Sequence, residues 1–232
     1  MEPLSLGRRA FAELIGSALL AMVVIGSGIA AQNLSPGNSG LQLLENALAT
    51  GAGLMAIIFM FAAASGAHLN PVVSIADAAL GRTSWRDVSA YAPAQVLGCI
   101  GGAVLANVMF SEAAVSISTK HRASGAHFLS EIVATVGLLV LIFALARSNR
   151  HSVTPAAVGA YIAGAYFFTS STSFANPAIT VGRMFSDTFA GIAPSSVPLF
   201  VAAQLVAVPI ALVVSVTLYP AKDAALESGP RG

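Results

Sequence analysis

Charged side chains are scarce in this sequence, and their scarcity excludes most classes of protein. Only 9% of the 232 residues are Asp, Glu, Lys or Arg, whereas a soluble domain normally carries about 25%. The formal net charge of +1 offers no strongly basic or acidic surface to nucleic acid or to a charged partner. The chain has too little polar surface to face water, so we interpret it as an integral protein of the lipid bilayer.

Cysteine is nearly absent, and so are the clusters that support catalysis. The single Cys99 lies in an apolar run and excludes an internal disulfide framework. The 4 histidines show no metal-ligand spacing, and we find no nucleophile–base pair or phosphate-binding loop. The sequence therefore predicts a protein that is not an enzyme and that has no cofactor and no bound metal.

Long apolar runs are abundant instead. A helix crosses a bilayer core of ~30 Å with about 20 apolar residues. Six segments meet this requirement: roughly 9–31, 42–64, 87–110, 127–147, 153–172 and 198–219. The first is too long for the core of a signal peptide, so we expect it to be retained. Small residues recur in 98–106 and 157–165, a pattern typical of close helix packing.

Basic residues are distributed unevenly between the two sides of the predicted bundle. With the N-terminus inside, the inner side holds most of them: Arg8, Arg9, Arg82, Arg86, Arg147, Arg150, Lys222 and Arg231. The outer side holds only Lys120, Arg122 and Arg183. Cytoplasmic loops carry an excess of Lys and Arg. We therefore expect both termini of this multi-pass protein to lie in the cytoplasm.

Two features occur twice in the same order, which indicates an internal duplication. The stretch "AELIGSALLAMVVIGSG" (12–28) is similar to "SEIVATVGLLVLIFALA" (130–146). An Asn-Pro pair then follows in each half, at 70–71 and at 176–177. Interrupted helices at matching positions of two repeats indicate the transport site of a membrane protein.

The duplication divides 1–232, which we treat as a single membrane channel domain, into repeats of about 9–110 and 127–219. Each repeat contains three predicted spans, so the second repeat must begin on the opposite side of the bilayer. The halves are therefore expected to be inverted in the membrane, as in many transport proteins.

Each Asn-Pro pair predicts the start of a short helix. Asn is a favoured N-cap, and Pro is favoured at the first helical position. The apolar run after each pair covers about ten residues, or about 15 Å, which is half a bilayer core. We predict two re-entrant half-helices that meet at the midplane, where their positive ends repel cations and their carboxamides donate to neutral solutes. Two ordinary N-caps in interhelical loops are the alternative interpretation.

Together these features resemble the major intrinsic proteins, the aquaporins and aquaglyceroporins, over nearly the whole chain. The resemblance is carried by the paired boxes, the "SGAHLNP" lead-in and one Glu in each half: Asn70, Pro71, Val72, Asn176, Pro177, Ala178, Glu13 and Glu131. It implies six transmembrane helices plus two half-helices, a homotetramer with one pore per subunit, and passive transport. Val72 stands where the family usually has Ala, and we expect only a small effect on packing.

A second departure is Ile179, at the position where the family usually has Arg. In water-selective members that Arg joins an aromatic residue and a His at the outer constriction. Counting without gaps, the other constriction positions fall on Thr50, Gly164 and Ser173, and a single gap would move Thr50 by one position. None of these residues is aromatic or His. We therefore predict a selectivity filter that is wide, uncharged and moderately polar.

A filter without the aromatic and arginine ring favours solutes bulkier than water. We expect passage of water and of small uncharged solutes such as glycerol, urea or metalloid hydroxides. The stretch "NPAITVGR…DTFAGI" resembles a bacterial group associated with arsenic resistance, which makes arsenous acid a candidate in a bacterial plasma membrane. The alternatives are a water-selective aquaporin, a gradient-coupled secondary transporter, and a scaffold with a vestigial pore.

Four ionisable side chains near the predicted pore have two interpretations each. Glu13 and Glu131 either support the re-entrant loops, as the family implies, or form a proton path, and we favour support. His68 either lines the inner vestibule or senses pH. Arg183 either reaches into the pore mouth, or turns outward or pairs with Asp187, and we favour the outward position or the pair.

Overall fold

A computed structural model of the protein describes residues 4–219. Within that range the chain forms eight α-helices and no β-strand. They are α1 (Leu6–Leu34), α2 (Ser39–Ser65), α3 (Pro71–Ala79), α4 (Trp85–Met109), α5 (Gly125–Arg147), α6 (Thr154–Phe168), α7 (Pro177–Gly182) and α8 (Val197–Leu218). Lys222 and Arg231, used above to predict the orientation, lie outside the described residues. The all-α class is confirmed.

Five helices are long and apolar enough to cross a membrane: α1, α2, α4, α5 and α8. The fifth predicted span, 153–172, is shorter than expected, because the 15 residues of α6 end at Phe168 and Thr169 is extended. At 1.5 Å per residue α6 covers about 22 Å. The chain then turns back into the bundle, where Ala175 is completely buried.

The order of long, long, short and long helices occurs twice along the chain. We call the side of the bundle where α1 begins the first face, and the side where α1 ends the second face. The helix α5 begins at the second face, where α4 ended, so the two repeats are inverted relative to each other. The short helices α3 and α7 contact each other inside the bundle.

Both short helices begin at the predicted asparagines. The side chain of Asn70 accepts a hydrogen bond from the Val72 N–H at 3.1 Å, and that of Asn176 accepts one from the Ala178 N–H at 2.9 Å. A proline occupies the first position of each helix, where its missing N–H costs nothing. The helix α7 has 6 residues and continues as a 3-10 turn, Arg183–Phe185.

The small residues of 98–106 bring α4 against α1. A methyl group on Gly98 would overlap the carbonyl oxygen of Leu14, and one on Gly102 would overlap that of Ala18. Gly101 lies on another face of α4, where nothing stands within 4 Å of the same point. The two glycines therefore permit direct contact between helix backbones, as the small-residue pattern predicted.

Candidate functional site: a polar passage through the bundle

A cavity of about 530 Å³ extends through the bundle between the two re-entrant segments, and we call it the passage. Arg9, Arg82 and His151 line it near the first face, and Arg183 lines it near the second face. Apolar side chains of α2, α5 and α6 form one wall, including Leu54, Leu138, Val158 and Ile162. The two segments that precede α3 and α7 form the polar wall.

Asn70 and Asn176 line the middle of the passage and link the two repeats. The Asn70 side-chain nitrogen donates to the Ala175 carbonyl at 2.7 Å, and the Asn176 nitrogen donates to the Leu69 carbonyl at 2.7 Å. Each side-chain oxygen is used by its own helix cap. A carboxamide nitrogen has two hydrogens, so one N–H of each asparagine remains for a solute in the passage.

Glu13 holds the first re-entrant segment from inside α1. Its carboxylate is completely buried and accepts backbone N–H groups of His68 at 2.9 Å and Leu69 at 2.6 Å. It also accepts from the Gln95 side chain at 2.7 Å. Charge-assisted hydrogen bonds of this kind are about twice as strong as neutral ones. The carboxylate therefore fixes the backbone that leads to Asn70.

Glu131 holds the second segment in the same way from α5. Its carboxylate is completely buried and accepts the N–H groups of Phe174 at 2.9 Å and Ala175 at 2.8 Å. The side chain of Gln204 completes the arrangement at 2.7 Å. Each carboxylate accepts at least three hydrogen bonds, and among residues 4–219 no chain of further acids continues from them along the spans.

The two re-entrant segments contain residues in a backbone conformation that non-glycine residues rarely adopt. Residues at one and three positions before each asparagine are left-handed: φ is 50° at Ala67 and 53° at Leu69, and 49° at Ser173 and 47° at Ala175. Such a conformation costs a non-glycine residue about 1–2 kcal/mol. It persists where surrounding contacts determine it, and the two glutamates supply those contacts.

Three of the four residues assigned to the filter line the passage near the second face. Thr50, Ser173 and Ile179 are buried in its wall. The Thr50 hydroxyl is hydrogen-bonded to the Tyr166 hydroxyl at 3.2 Å. The Ser173 hydroxyl is buried without a hydrogen-bond partner among the described residues. This end of the passage therefore carries hydroxyl groups beside the apolar Ile179.

The assignment of Gly164 to the filter was wrong. Gly164 is exposed on the outer surface of α6, and no atom stands within 4 Å of the point where its side chain would begin. Tyr166 and Ile162 of the same helix line the passage instead. Counting back from Asn176 without gaps selected the wrong residue of α6, because the connection between α6 and α7 is irregular. The filter region therefore does contain an aromatic ring.

Arg183 does not turn outward or pair with Asp187, which corrects the position we favoured. Its side chain is 2% exposed and lines the passage. Its Nε donates to the Ala190 carbonyl, and its guanidinium lies 3.4 Å from the centre of the Phe174 ring. Asp187 accepts hydrogen bonds from Thr119 instead. The expectation of an uncharged constriction therefore fails, because this arginine supplies a positive charge.

Two further basic residues lie beside Arg183 in the loop between α4 and α5. Lys120 donates to the Phe189 carbonyl at 2.8 Å, and Arg122 donates to the Gly191 carbonyl at 2.9 Å. Burial lowers the pKa of Arg122 to about 10. Burial, together with the two neighbouring arginines, lowers the pKa of Lys120 to about 8. Lys120 and Arg122 therefore form a basic rim at the second face, beside Arg183 but outside the wall of the passage.

The first face has a mixed-charge vestibule. His68 lies in the passage wall, its Nδ1 is 3.0 Å from the Ser74 hydroxyl, and its Nε2 is 3.7 Å from Asp77. Arg82 forms an ion pair with Asp77 at 3.1 Å. Arg9 lines the same end. Asp77 is therefore neutralised locally, and among residues 4–219 the vestibule does not offer an unpaired carboxylate to cations.

Sequence reasoning missed several residues that shape this site. Gln95 and Gln204 sit in apolar helices, and a buried glutamine at matching positions of two repeats was an available signal. Tyr166 was missed because the ungapped count selected Gly164 as the filter residue of α6. The carbonyls of 189–191, which bind Arg183 and its neighbours, carry no signal in the sequence.

A helical membrane bundle with two opposed, asparagine-capped half-helices around a passage defines a transmembrane channel. The family model described as "Major intrinsic protein" matches residues 1–173. Aquaglyceroporin AqpS of Rhizobium meliloti is 43% identical over 231 residues, which cover 99% of this chain and 98% of that protein. The chain belongs to the major intrinsic protein family, whose members are channels for water and small solutes.

Two more distant relatives agree with this assignment. A probable glycerol uptake facilitator protein of Thermotoga maritima is 28% identical over 163 residues, 64% of this chain and 69% of that protein. The X-ray structure of the aquaglyceroporin from Plasmodium falciparum superposes with a TM-score of 0.68 at 25% identity, covering 96% of this chain and 98% of that one. The predicted family and fold are therefore confirmed.

Proposed function

We propose that the protein is a passive channel for water and for small uncharged solutes of the size of glycerol, urea and arsenous acid. The observation that carries the proposal is the pair Asn70 and Asn176, which both line the passage and each keep one N–H that no described residue accepts. A neutral, oxygen-bearing solute accepts hydrogen bonds from these two N–H groups as it crosses the midplane.

The wall chemistry supports a polyol-like solute. The hydroxyl-bearing residues Thr50, Tyr166 and Ser173 line the passage together with Ile179 and aliphatic residues of α5 and α6. Glycerol and arsenous acid carry hydroxyl groups. Polar groups of the wall can form hydrogen bonds with these hydroxyls and so replace the water contacts that the solute loses on entering the passage. The similarity to an aquaglyceroporin and the "NPAITVGR" stretch support the same class of solute.

Cation exclusion follows from the same geometry. The N-termini of α3 and α7 face one another at the midplane, each equivalent to about half a positive charge. The basic rim at the second face adds to this barrier. A coupled transporter would need an ion-binding carboxylate along the passage, whereas Glu13 and Glu131 are occupied by backbone donors.

The proposed setting is a homotetramer in a bacterial plasma membrane, with one passage per subunit and both termini cytoplasmic. Large apolar side chains cover the outer surface, among them Phe11, Leu48, Phe59, Leu97 and Leu129. This surface suits lipid and neighbouring subunits. The first face then corresponds to the cytoplasm, since most Lys and Arg residues lie there.

The direct test is stopped-flow swelling of proteoliposomes in water, glycerol, urea and arsenous acid gradients. We expect all four to pass at rates that do not depend on a proton or sodium gradient. Passage of water alone would indicate a water-selective aquaporin, and gradient-dependent uptake would indicate a transporter. Zero permeability to every solute would overturn the channel itself.

A further inference from the structure

Arg183 is a buried cation whose guanidinium is only partly used by the protein. Among residues 4–219 its single hydrogen bond runs from Nε to the Ala190 carbonyl, and no carboxylate pairs with it. Its two terminal nitrogens therefore have no acceptor in the part of the chain that the structure describes. Since a buried charged donor without a partner is costly, these nitrogens require an acceptor inside the passage.

The surroundings fix the guanidinium rather than leaving it mobile. The face of the Phe174 ring covers one side of the group at 3.4 Å. The Ala190 carbonyl holds the Nε edge, which leaves the opposite edge with both terminal nitrogens free. A planar group held at its face and at one edge presents two parallel donors in a defined direction.

A second unsatisfied group lies in the same wall. The Ser173 hydroxyl is buried and has no partner among the described residues. Ser173 directly precedes Phe174 in the re-entrant segment, and Arg183 begins the 3-10 turn after α7, with its guanidinium over the Phe174 ring. The wall of the passage therefore holds, beside the apolar Ile179, a donor fork and a buried hydroxyl that both lack partners among the described residues.

We propose that Arg183 and Ser173 form the solute-binding constriction, in which the arginine fork binds the oxygens of a neutral hydroxyl- or carbonyl-bearing solute. The guanidinium thus belongs to a residue about one helical turn beyond position 179, which is Ile in this chain. The inference rests on the proposed function and adds a specific residue to it. Phe174 is a positioning residue, because it acts through the arginine.

Arg122 provides a matched comparison within the same cluster. It is also a buried arginine, and its guanidinium lies 5.3 Å from the Phe174 ring. Its Nε and one terminal nitrogen donate to the Gly191 and Phe189 carbonyls, and it does not line the passage. Replacing either arginine removes one positive charge from this face, but only Arg183 offers donors to a solute.

The experiment measures uptake of labelled urea into proteoliposomes in competition with unlabelled glycerol. In Arg183→Met we expect the glycerol concentration for half inhibition to rise about tenfold, which corresponds to about 1.4 kcal/mol. In Arg183→Lys, which keeps the charge but loses the fork, we expect a smaller rise. In Arg122→Met the concentration should stay within about twofold of the wild-type value.

An unchanged half-inhibiting concentration in Arg183→Met, or an equal rise in Arg122→Met, overturns this inference and leaves the proposed channel intact. Failure of the wild-type protein to take up urea overturns the proposed function instead. If Arg183→Met does not fold, Arg183→Lys decides the question, and wild-type behaviour of that variant refutes the role of the fork. We expect Phe174→Leu to raise the half-inhibiting glycerol concentration, and Phe174→Tyr, which keeps an aromatic ring, to leave it at the wild-type value.

Discussion

Asn70 and Asn176 each donate to the backbone carbonyl that immediately precedes the other. This reciprocal pair joins the tips of two helices that come from opposite repeats. It leaves each asparagine with one donor for the passage and places two positive helix ends at the same depth. The charge state of this point therefore controls which solutes can cross.

Replacing Asn176 with Asp should convert cation exclusion into cation leakage. A carboxylate keeps the cap oxygen of α7 but offsets the positive helix ends. We expect sodium leakage from proteoliposomes to rise at least about tenfold, the effect of about 1.4 kcal/mol on a barrier. Asn38→Asp is the control, because Asn38 caps α2 in an exposed turn. Equal leakage from both variants would refute the electrostatic barrier.

Replacing Ile179 with Arg should narrow the second-face end of the passage. A second guanidinium beside Arg183 adds both bulk and repulsion at a point lined by Thr50 and Ser173. We expect glycerol permeability to fall about tenfold and water permeability to fall less, since narrow filters reject larger solutes first. Ile179→Met keeps an apolar wall and should behave as wild type. Unchanged glycerol flux in the arginine variant would contradict the placement.

Replacing Glu131 with Gln should loosen the second re-entrant segment. A carboxamide has one acceptor oxygen, so the N–H of Phe174 or of Ala175 loses its partner. A buried unpaired donor costs about 1–3 kcal/mol, and thermal unfolding in detergent should report a loss of that size. Glu45→Gln, at a partly buried carboxylate bonded to Ser35, should change stability little. The same stability for both variants would show that the Glu131 carboxylate is not a support.

Replacing Gly102 with Ala should destabilise the bundle at the contact between α1 and α4. The added methyl overlaps the Ala18 carbonyl, which cannot move without shifting the helix. Overpacking of this kind costs about 1–3 kcal/mol, measurable as a lower unfolding temperature. Gly101→Ala is a matched control one residue away, with open space around the methyl. Equal stability of the two variants would rule out close helix contact there.

Lys120 should give the protein a pH-dependent stability with a definite sign. Its pKa in the folded protein is about 8, whereas an unfolded lysine titrates near 10.4. Between about pH 8 and 10 the unfolded chain binds more protons, so stability rises with pH in this window. The rise should be small, because the Lys120 residue as a whole is exposed to screening solvent, even though the Phe189 carbonyl and ring cover its ammonium group.

The measurement for Lys120 is the unfolding temperature at pH 7.5 and at pH 10. We expect the wild-type protein to gain stability relative to Lys120→Arg, which stays charged throughout this range. A wild-type protein that loses stability relative to the variant between these pH values would show that the lysine charge is favourable in the folded state.

The sequence predicted the parts of this molecule that obey local rules. Asn-Pro at 70 and 176 encodes the cap and first turn of each half-helix by itself, and the apolar runs encode the spans. The glycines of 98–106 encode a helix contact. Each of these features depends on neighbouring residues and on helix periodicity, so the pattern and the structure agree.

The filter could not be predicted in the same way, because its residues come from irregular backbone. The segment between Phe168 and Asn176 has no period, so an ungapped count placed Gly164 where Tyr166 belongs. Arg183 follows a helix that ends after one and a half turns, and its direction is set by the Ala190 carbonyl and the Phe174 ring. Those contacts depend on the path of the loop, which side-chain spacing does not encode.

The crossing bonds between Asn70 and Ala175 also constrain how the protein is made. These partners are 105 residues apart, so a ribosome has released the first repeat into the bilayer well before its acceptor exists. During that interval the side-chain amide of Asn70 lacks the Ala175 carbonyl as its acceptor. The passage is consequently completed late in biosynthesis, only when translation has delivered the second repeat.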